Sequence, residues 1–429
     1  MTGTDESRFQ RAQRGFLLCS IVAYAFCYVT RKNLSMAQPG MLEEGVISTY
    51  ALGTIMTVHG VLYGLSRFVN GFWADRLNGR VFMAVGLALS AGMNFLFGCS
   101  SVTLCFAAFW ILNGWTQGMG FPPCAKMLAH WIHPKELATK MSIWNTSHSF
   151  GAFLALGICS LLLSFGFGWR WCFWVPAALA GFAAVFTFFC VHDSPTEAGV
   201  AELEIEGAAG AFKQSNNSNN QAITTADRRR LVFGNKVIWV VAIANFFVYV
   251  VRFGFLDWGP TFLKQHKGIP VEKGGLMIIA FELAAVAGTV CAGRLTDRLF
   301  RGRGARTCVI FMFLAALFAF GFYLLPDGAS SVWATILLMG TGFFIYGPQG
   351  LTGIIAANQA TKDAAAMANG FTGIMGYAST VVSGLGIAFI KECFGWNVTL
   401  AAIAGFALIG MVLFALAWNA SADGYSRGR

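Results

Sequence analysis

Strongly apolar segments recur along nearly the whole chain, and they restrict its fold more than any other feature. Each is close to the roughly 20 residues that an α-helix needs to cross about 30 Å of hydrocarbon. Within lipid only helices and closed barrels satisfy every backbone hydrogen bond, and segments this long are typical of helices. We count twelve, at residues 15–32, 48–73, 82–100, 103–125, 141–165, 170–191, 237–263, 274–293, 307–325, 331–356, 366–390 and 396–418. The sequence therefore predicts an all-α membrane protein with twelve transmembrane helices.

Composition agrees with this fold class. Hydrophobic residues make up 56% of the chain and charged residues 12%, against about 45–50% and 25% in soluble domains. The 11 cysteines are scattered through the apolar segments without a CxxC pair, so we interpret them as packing residues and expect no metal and no cofactor. The first segment is followed by Arg31-Lys32-Asn33 instead of a small-residue cleavage site, which predicts a retained helix.

The net charge of +10 reports topology and does not indicate nucleic-acid binding. Basic residues cluster at one set of connections: Arg8, Arg11 and Arg14; Arg76 and Arg80; Lys135 and Lys140; Arg228, Arg229, Arg230 and Lys236; and Arg294, Arg298, Arg301, Arg303 and Arg306. Cytoplasmic loops carry such an excess of Lys and Arg. We expect both termini and the central loop to be cytoplasmic.

The chain contains an internal repeat. The polar stretch 192–236 predicts a flexible cytoplasmic linker between an N-terminal six-helix half, 1–191, and a C-terminal six-helix half, 237–429. Gly71-Phe-Trp-Ala-Asp75-Arg76 recurs 222 residues later as Gly293-Arg-Leu-Thr-Asp297-Arg298. Two parallel, pseudo-symmetric six-helix bundles with a substrate site at their interface are typical of the major facilitator superfamily.

Two arginines occupy matching places in the two halves. Arg31 ends the first apolar segment and Arg252, 221 residues later, lies within the seventh. Arginine within a bilayer costs about 2.5–3.5 kcal/mol on insertion scales, so it marks a functional candidate. Its planar fork binds phosphate oxygens bidentately. The alternative for Arg31, with Lys32, is a cation that reaches the membrane surface at the end of a helix.

Further polar candidates lie on the same segments. His148, in the fifth, titrates in the range of the second phosphate pKa near 6, although a structural hydrogen bond is the alternative. Hydroxyl donors are available at Tyr28, Tyr63, Tyr249, Tyr346 and Tyr377, and the first and third of these precede an arginine by three residues, on its helix face. Aromatic packing is the alternative for each.

The remaining charges suggest coupling and gating roles. Asp257 and Glu282 are the acids inside the apolar segments, and they are candidates for proton coupling or for neutralising Arg252. The pairs Asp75–Arg76 and Asp297–Arg298 are candidate conformational clamps, with topogenic helix caps as the alternative. The chain has no Gly-x-Ser-x-Gly, Walker-type or His-Glu-x-x-His motif, so we expect a secondary carrier and not an enzyme.

At these residues the chain resembles the organophosphate:phosphate antiporter family, close to bacterial glycerol-3-phosphate and hexose-6-phosphate carriers. The similarity is densest at Tyr28-Val-Thr-Arg31-Lys32-Asn33, Gln117-Gly-Met-Gly-Phe-Pro-Pro-Cys124, Trp144-Asn145-Thr-Ser-His148, Asp193-Ser-Pro-Thr-Glu-Ala-Gly199, Tyr249-Val-Val-Arg252, Asp257-Trp258 and Tyr346-Gly-Pro348. The resemblance implies a phosphate site at Arg31, Arg252 and His148, supported by Lys32, Tyr28, Tyr249 and Tyr377. Tyr63 and Asn145 complete our candidate set.

The resemblance implies exchange of an organic phosphate for inorganic phosphate by alternating access, in the bacterial inner (plasma) membrane. We expect a monomer whose partners are a small phosphorylated metabolite, inorganic phosphate and the lipid bilayer. Segment 377–390 lacks the Asp and Lys that hexose-phosphate carriers often place there, which favours glycerol-3-phosphate. Two alternatives stay open: a transporter-like sensor of external glucose-6-phosphate that signals to a histidine kinase, and a proton-coupled symporter of another organic anion.

Overall fold

A computed structural model of the chain describes residues 3–132, 140–141, 143–200, 225–326, 330–360 and 364–421, and within these ranges it contains helices and no β-strand. The helices are α1 (Gly3–Glu43), α2 (Thr49–Arg76), α3 (Gly79–Cys99), α4 (Thr103–Gln117), α5 (Phe121–Trp131), α6 (Ser147–Ser164), α7 (Trp171–Cys190), α8 (Thr225–Phe233), α9 (Lys236–Lys267), α10 (Val271–Arg298), α11 (Gly304–Leu324), α12 (Ser331–Gln359), α13 (Ala365–Ala378) and α14 (Ile387–Leu416). A π-helical segment, Val381–Gly386, joins α13 to α14.

Every one of the twelve predicted segments contains helix, so the predicted fold class is confirmed. In the described part of the chain, nine continuous helices are long and apolar enough to cross a membrane. The last of these, Met367–Leu416, covers two predicted segments. It turns at Gly395, whose φ of 76° and ψ of 178° only glycine adopts readily. The fourth predicted segment is broken into α4 and α5.

Helix α1 extends well beyond its predicted end at residue 32. It continues to Glu43, about 18 Å past Arg31 at 1.5 Å per residue. The prediction stopped too early because the polar run Arg31-Lys32-Asn33 resembles a membrane boundary. In the structure Lys32 is 7% exposed and Asn33 is fully buried. Arg31 therefore lies within a helix and not at its end.

The predicted linker 192–236 contains ordered structure at both of its ends. Helix α8 occupies Thr225–Phe233. At the other end, the Asp193 carboxylate accepts a hydrogen bond of 2.7 Å from the Gly79 amide, which begins α3. Residues 201–224, which include the Asn-rich part of the predicted linker, lie outside the described residues.

The chain forms two compact units, which we call unit 1 and unit 2. Unit 1 comprises Met1–Ala37 and Leu62–Ala222, and unit 2 comprises Gln38–Val61 and Ile223–Arg429. Within unit 2, the hairpin 38–61 packs against α9 and the α13–α14 region: Thr261 donates to Gln38, and the Leu385 amide donates to Thr57. The limits of the two units reflect which residues pack together. The predicted division of the chain into two six-helix halves by a linker at 192–236 therefore stays a prediction.

Candidate substrate-binding residues

In unit 1, Arg31 lies against two tyrosine rings. Its guanidinium carbon is 3.8 Å from the ring centroid of Tyr63 on α2 and 5.4 Å from that of Tyr28, one turn earlier on α1. The three-residue spacing brings Tyr28 onto the arginine's helix face. Tyr63 is buried, whereas Arg31 is half-buried. The aromatic faces attract the cation and hold the Arg31 guanidinium at this cluster.

His148 joins the same aromatic cluster. Its ring centroid lies 5.6 Å from that of Tyr28. Nδ1 contacts the carbonyl oxygen of Asn145, and Nε2 lies 3.3 Å from the Ser149 hydroxyl. Because a carbonyl oxygen only accepts, Nδ1 donates its proton there. His148 is the second residue of α6, and the Asn145 side chain is exposed.

Unit 1 contains a further cation, Arg67, which was not among the residues predicted from the sequence. The Arg67 guanidinium carbon lies 4.1 Å from the Phe121 ring centroid and 5.9 Å from that of Tyr63. Arg67 is one turn beyond Tyr63 on α2 and is half-buried. A charged residue inside the predicted segment 48–73 was the available signal. Arg31 and Arg67 thus share the Tyr63 ring, and unit 1 carries two cations at this cluster.

In unit 2, Arg252 is much more deeply buried. It is 8% exposed, and its guanidinium carbon lies 4.5 Å from the Tyr346 centroid, 5.6 Å from that of Phe253 and 5.8 Å from that of Tyr249. Its buried Nε–H has no hydrogen-bond partner among the described residues. An unpaired donor on a buried cation is costly, and an anion oxygen would satisfy it.

Glu282 balances the charge of Arg252 through Tyr346. The Tyr346 hydroxyl on α12 donates a hydrogen bond to the Glu282 carboxylate on α10, and both residues are buried. This arrangement matches the neutralising alternative that the sequence left open for Glu282. Asp257, the other candidate acid, is half-buried on α9, and its coupling role stays a prediction, as does that of Glu282.

The other candidates lie in one unit or the other. Tyr249 and Tyr377 approach each other with ring centroids 6.1 Å apart in unit 2, and Tyr249 contacts Arg252. Lys32 is buried on α1 in unit 1. Each unit therefore brings one predicted arginine together with two tyrosines, Tyr28 and Tyr63 in one, and Tyr249 and Tyr346 in the other.

The candidate gating pairs occupy the last turns of α2 and α10. Arg76, Asp297 and Arg298 are exposed, and the Asp75 side chain lies outside the described residues. Their clamp role stays a prediction. Across the part of the chain that the structure describes, no cluster of three or more His, Cys, Asp or Glu side chains has the geometry of a metal site.

Comparison with solved structures supports the fold. The chain superimposes on a bacterial homologue of the human lysosomal transporter Spinster, in an inward-facing and unoccupied conformation, with a TM-score of 0.80. The two are 15% identical, and the match covers 95% of this chain and 97% of that one.

Comparison of sequences gives closer relatives. The glycerol-3-phosphate transporter of Bacillus subtilis is 34% identical over 96% of this chain and 94% of its own length. A probable hexose phosphate transport protein of Chlamydia muridarum is 33% identical over 93% and 89%. The membrane sensor protein UhpC of Escherichia coli is 30% identical over 91% and 89%. The profile of the Major Facilitator Superfamily matches residues 20–384. The chain belongs to the major facilitator superfamily and, within it, to the family of the glycerol-3-phosphate and hexose phosphate transporters.

Proposed function

We propose that the protein is a secondary transporter that exchanges an organic phosphate ester for inorganic phosphate by alternating access, and that it is not an enzyme. The observation that carries this proposal is the buried Arg252. Among the described residues its Nε–H has no hydrogen-bond partner, and Tyr346, whose ring it contacts, donates a hydrogen bond to Glu282. A dianionic phosphate supplies both the acceptor atoms and the negative charge that such a group requires.

Arg31 is the second cation of the proposed phosphate site. It lies within α1 against Tyr28 and Tyr63, with His148 in the same aromatic cluster. Its position, well before the helix end at Glu43, favours a substrate role over the alternative of a cation that reaches the membrane surface. Arginine suits this role because its fork matches two phosphate oxygens and stays protonated.

We propose glycerol-3-phosphate as the favoured ester, with hexose-6-phosphate second. The uncharged segment 377–390 supports this order, and so does the transporter of Bacillus subtilis at 34% identity. The protein acts as a monomer in the bacterial plasma membrane. Both of its termini lie in the cytoplasm, which the distribution of basic residues supports.

Proteoliposomes test the proposal directly. Vesicles loaded with inorganic phosphate are expected to take up labelled glycerol-3-phosphate, and vesicles loaded with a phosphate-free buffer of the same ionic strength are expected to take up little. A panel of phosphate esters ranks the substrates. Uptake that ignores internal phosphate and follows an imposed proton gradient would reject exchange, and would favour Asp257 or Glu282 as proton carriers.

A sensor is the second candidate, because UhpC is 30% identical over most of the chain. The same proteoliposomes separate the two functions. A sensor would bind glucose-6-phosphate, seen as a ligand-dependent rise in unfolding temperature, without catalysing phosphate-dependent uptake.

A further inference from the structure

Unit 1 contains a buried network of six neutral polar side chains that surrounds the Arg31 turn of α1. Its members come in pairs at helical spacing, so each pair occupies one face of its helix. They are Thr30 and Asn33 on α1, Ser90 and Asn94 on α3, and Asn113 and Gln117 on α4, and each is at most 5% exposed. None of the six belongs to the candidate phosphate site.

The hydrogen bonds of this network converge on Thr30. Its carbonyl oxygen accepts from the amides of Asn94, at 3.1 Å, and Asn113, at 3.0 Å. Its hydroxyl accepts from Gln117 at 2.9 Å and lies 2.9 Å from the Ser90 hydroxyl. The Ser90 hydroxyl donates to the side-chain oxygen Oδ1 of Asn113 at 2.6 Å. One residue of α1 is therefore held by both α3 and α4.

A second attachment lies one turn further along α1. The side-chain amide of Asn33 donates to the side-chain oxygen Oδ1 of Asn94 at 2.9 Å. It also donates to the backbone oxygen of Cys172, on α7, at 2.8 Å. Thr30 and Asn33 flank Arg31 and Lys32 in sequence, and at 100° per residue they lie about 60° apart around the helix axis. Arg31 and Lys32 each lie about 130° from the midpoint of that attached face.

We infer that this network is a positioning device for Arg31: it fixes the rotation of α1 about its axis, and thereby the direction in which α1 presents its two cations. Helices in a bilayer have no hydrophobic driving force between them, so directional hydrogen bonds and close packing decide their rotation. A network with several simultaneous partners specifies one rotation, because turning α1 would leave buried amides unpaired. The six residues act through Arg31 and do not touch the phosphate. The inference rests on the proposed role of Arg31 in phosphate binding.

The test is the substitution Thr30→Val in the full-length protein, which removes the hydroxyl and keeps the side-chain shape. Thr187→Val is a matched control, because Thr187 is also fully buried in unit 1 but its hydroxyl donates only to Ala183 of its own helix. We expect Thr30→Val to raise the KM for phosphate-ester uptake roughly fivefold, with a smaller change in kcat, since membrane hydrogen bonds each contribute modestly. Thr30→Ser should restore the wild-type KM, and Thr187→Val should leave it unchanged.

A double-mutant cycle that measures phosphate affinity distinguishes a positioning role of Thr30 from a merely structural one. In the Arg31→Lys background, Thr30→Val should lower the phosphate affinity by less than about twofold. A residue that acts through the guanidinium has nothing left to position once that group is gone. Equal costs in both backgrounds would overturn the inference, as would equal effects of Thr30→Val and Thr187→Val. If Thr30→Val fails to insert, Gln117→Met removes the Gln117 donor and enters the same cycle. A wild-type protein without phosphate-dependent uptake would reject the proposed function, whereas additivity in an active protein rejects only the positioning role.

Discussion

The surroundings of Arg31 and Arg252 differ, although the two arginines are equivalent in the internal repeat. The residues that correspond to Thr30 and Asn33, 221 positions later, are Val251 and Gly254. Val251 is fully buried, and a Cβ added at Gly254 would lie 3.1 Å from methyl carbons of Ile387 and Ile403. The face that hydrogen bonds hold in unit 1 is held by close apolar packing in unit 2.

The burial of the two cations and the side chains around them differ as well. Arg31 is half-buried over Tyr63 and Tyr28, whereas Arg252 is 8% exposed and is linked through Tyr346 to the Glu282 carboxylate. A cation and a tyrosine three residues before it thus recur in both units, whereas the linked Tyr346 and Glu282 are described for Arg252. We expect Arg252 to matter for both stability and binding, and Arg31 for binding alone.

The largest effect is expected at Arg252. Arg252→Gln removes the cation and leaves the buried Glu282 without the nearby positive charge, and an uncompensated buried charge costs about 3–5 kcal/mol. The variant should lose phosphate exchange and unfold at a clearly lower temperature in detergent. The matched control is Arg252→Gln combined with Glu282→Gln, which should recover the unfolding temperature without recovering exchange. A single variant as stable as the wild type would contradict the neutralising role of Glu282.

Arg31→Lys should weaken binding without weakening the fold. Lysine keeps the charge but loses the planar fork, and a charge-assisted hydrogen bond contributes about 1.5–3 kcal/mol, which is about tenfold to a hundredfold in affinity. The unfolding temperature should not change, because the backbone of α1 is held by Thr30 and Asn33. Phosphate binding and thermal unfolding, measured together, check both halves of this expectation. Normal binding by Arg31→Lys would identify Arg31 as an anchor at the membrane surface.

The sequence predicted the helices and the two arginines because both produce strong local signals. Apolar segments of membrane length are difficult to miss, and a cation inside one is conspicuous. The extent of α1 was underestimated because hydropathy does not distinguish Arg31-Lys32-Asn33 at a membrane surface from the same residues buried against protein. Only tertiary packing, with Asn33 against Asn94 and Cys172, separates these cases.

Contacts between distant helices were beyond reach of the sequence. The Glu282–Tyr346 hydrogen bond joins residues 64 positions apart, and the neutral network joins Thr30 to Gln117 across 87 positions. Single asparagines, serines and threonines lower the hydropathy of a segment only slightly, so the network left little signal beyond its helical spacing. Arg67 was overlooked although its charge was visible in the segment 48–73.

A smaller effect is expected at Tyr63, which tests how much the aromatic ring nearest Arg31 contributes in unit 1. Tyr63→Leu removes the ring that lies 3.8 Å from the Arg31 guanidinium carbon. A cation–π contact contributes about 1 kcal/mol, so the phosphate affinity should fall about fivefold. Tyr63→Phe keeps the ring and should bind within about twofold of the wild type. Equal losses in both variants would assign the effect to the Tyr63 hydroxyl instead of the ring.

The smallest expected effect is a pH dependence that belongs to unit 1 alone. With Nδ1 of His148 directed at the Asn145 carbonyl oxygen, protonation adds a donor at Nε2, near the Ser149 hydroxyl. In the proposed phosphate site, a protonated His148 adds a positive donor beside Arg31, and a bound dianion favours the protonated form. Phosphate affinity should therefore gain more on lowering the pH from about 8 to 5.5 in the wild type than in His148→Gln, across the range where histidine and phosphate both titrate. The affinity of the His148→Gln variant still changes with pH because the phosphate itself titrates. The difference between the two curves therefore gives the contribution of His148. Parallel curves would show that His148 is neutral throughout and only hydrogen-bonds within its own turn.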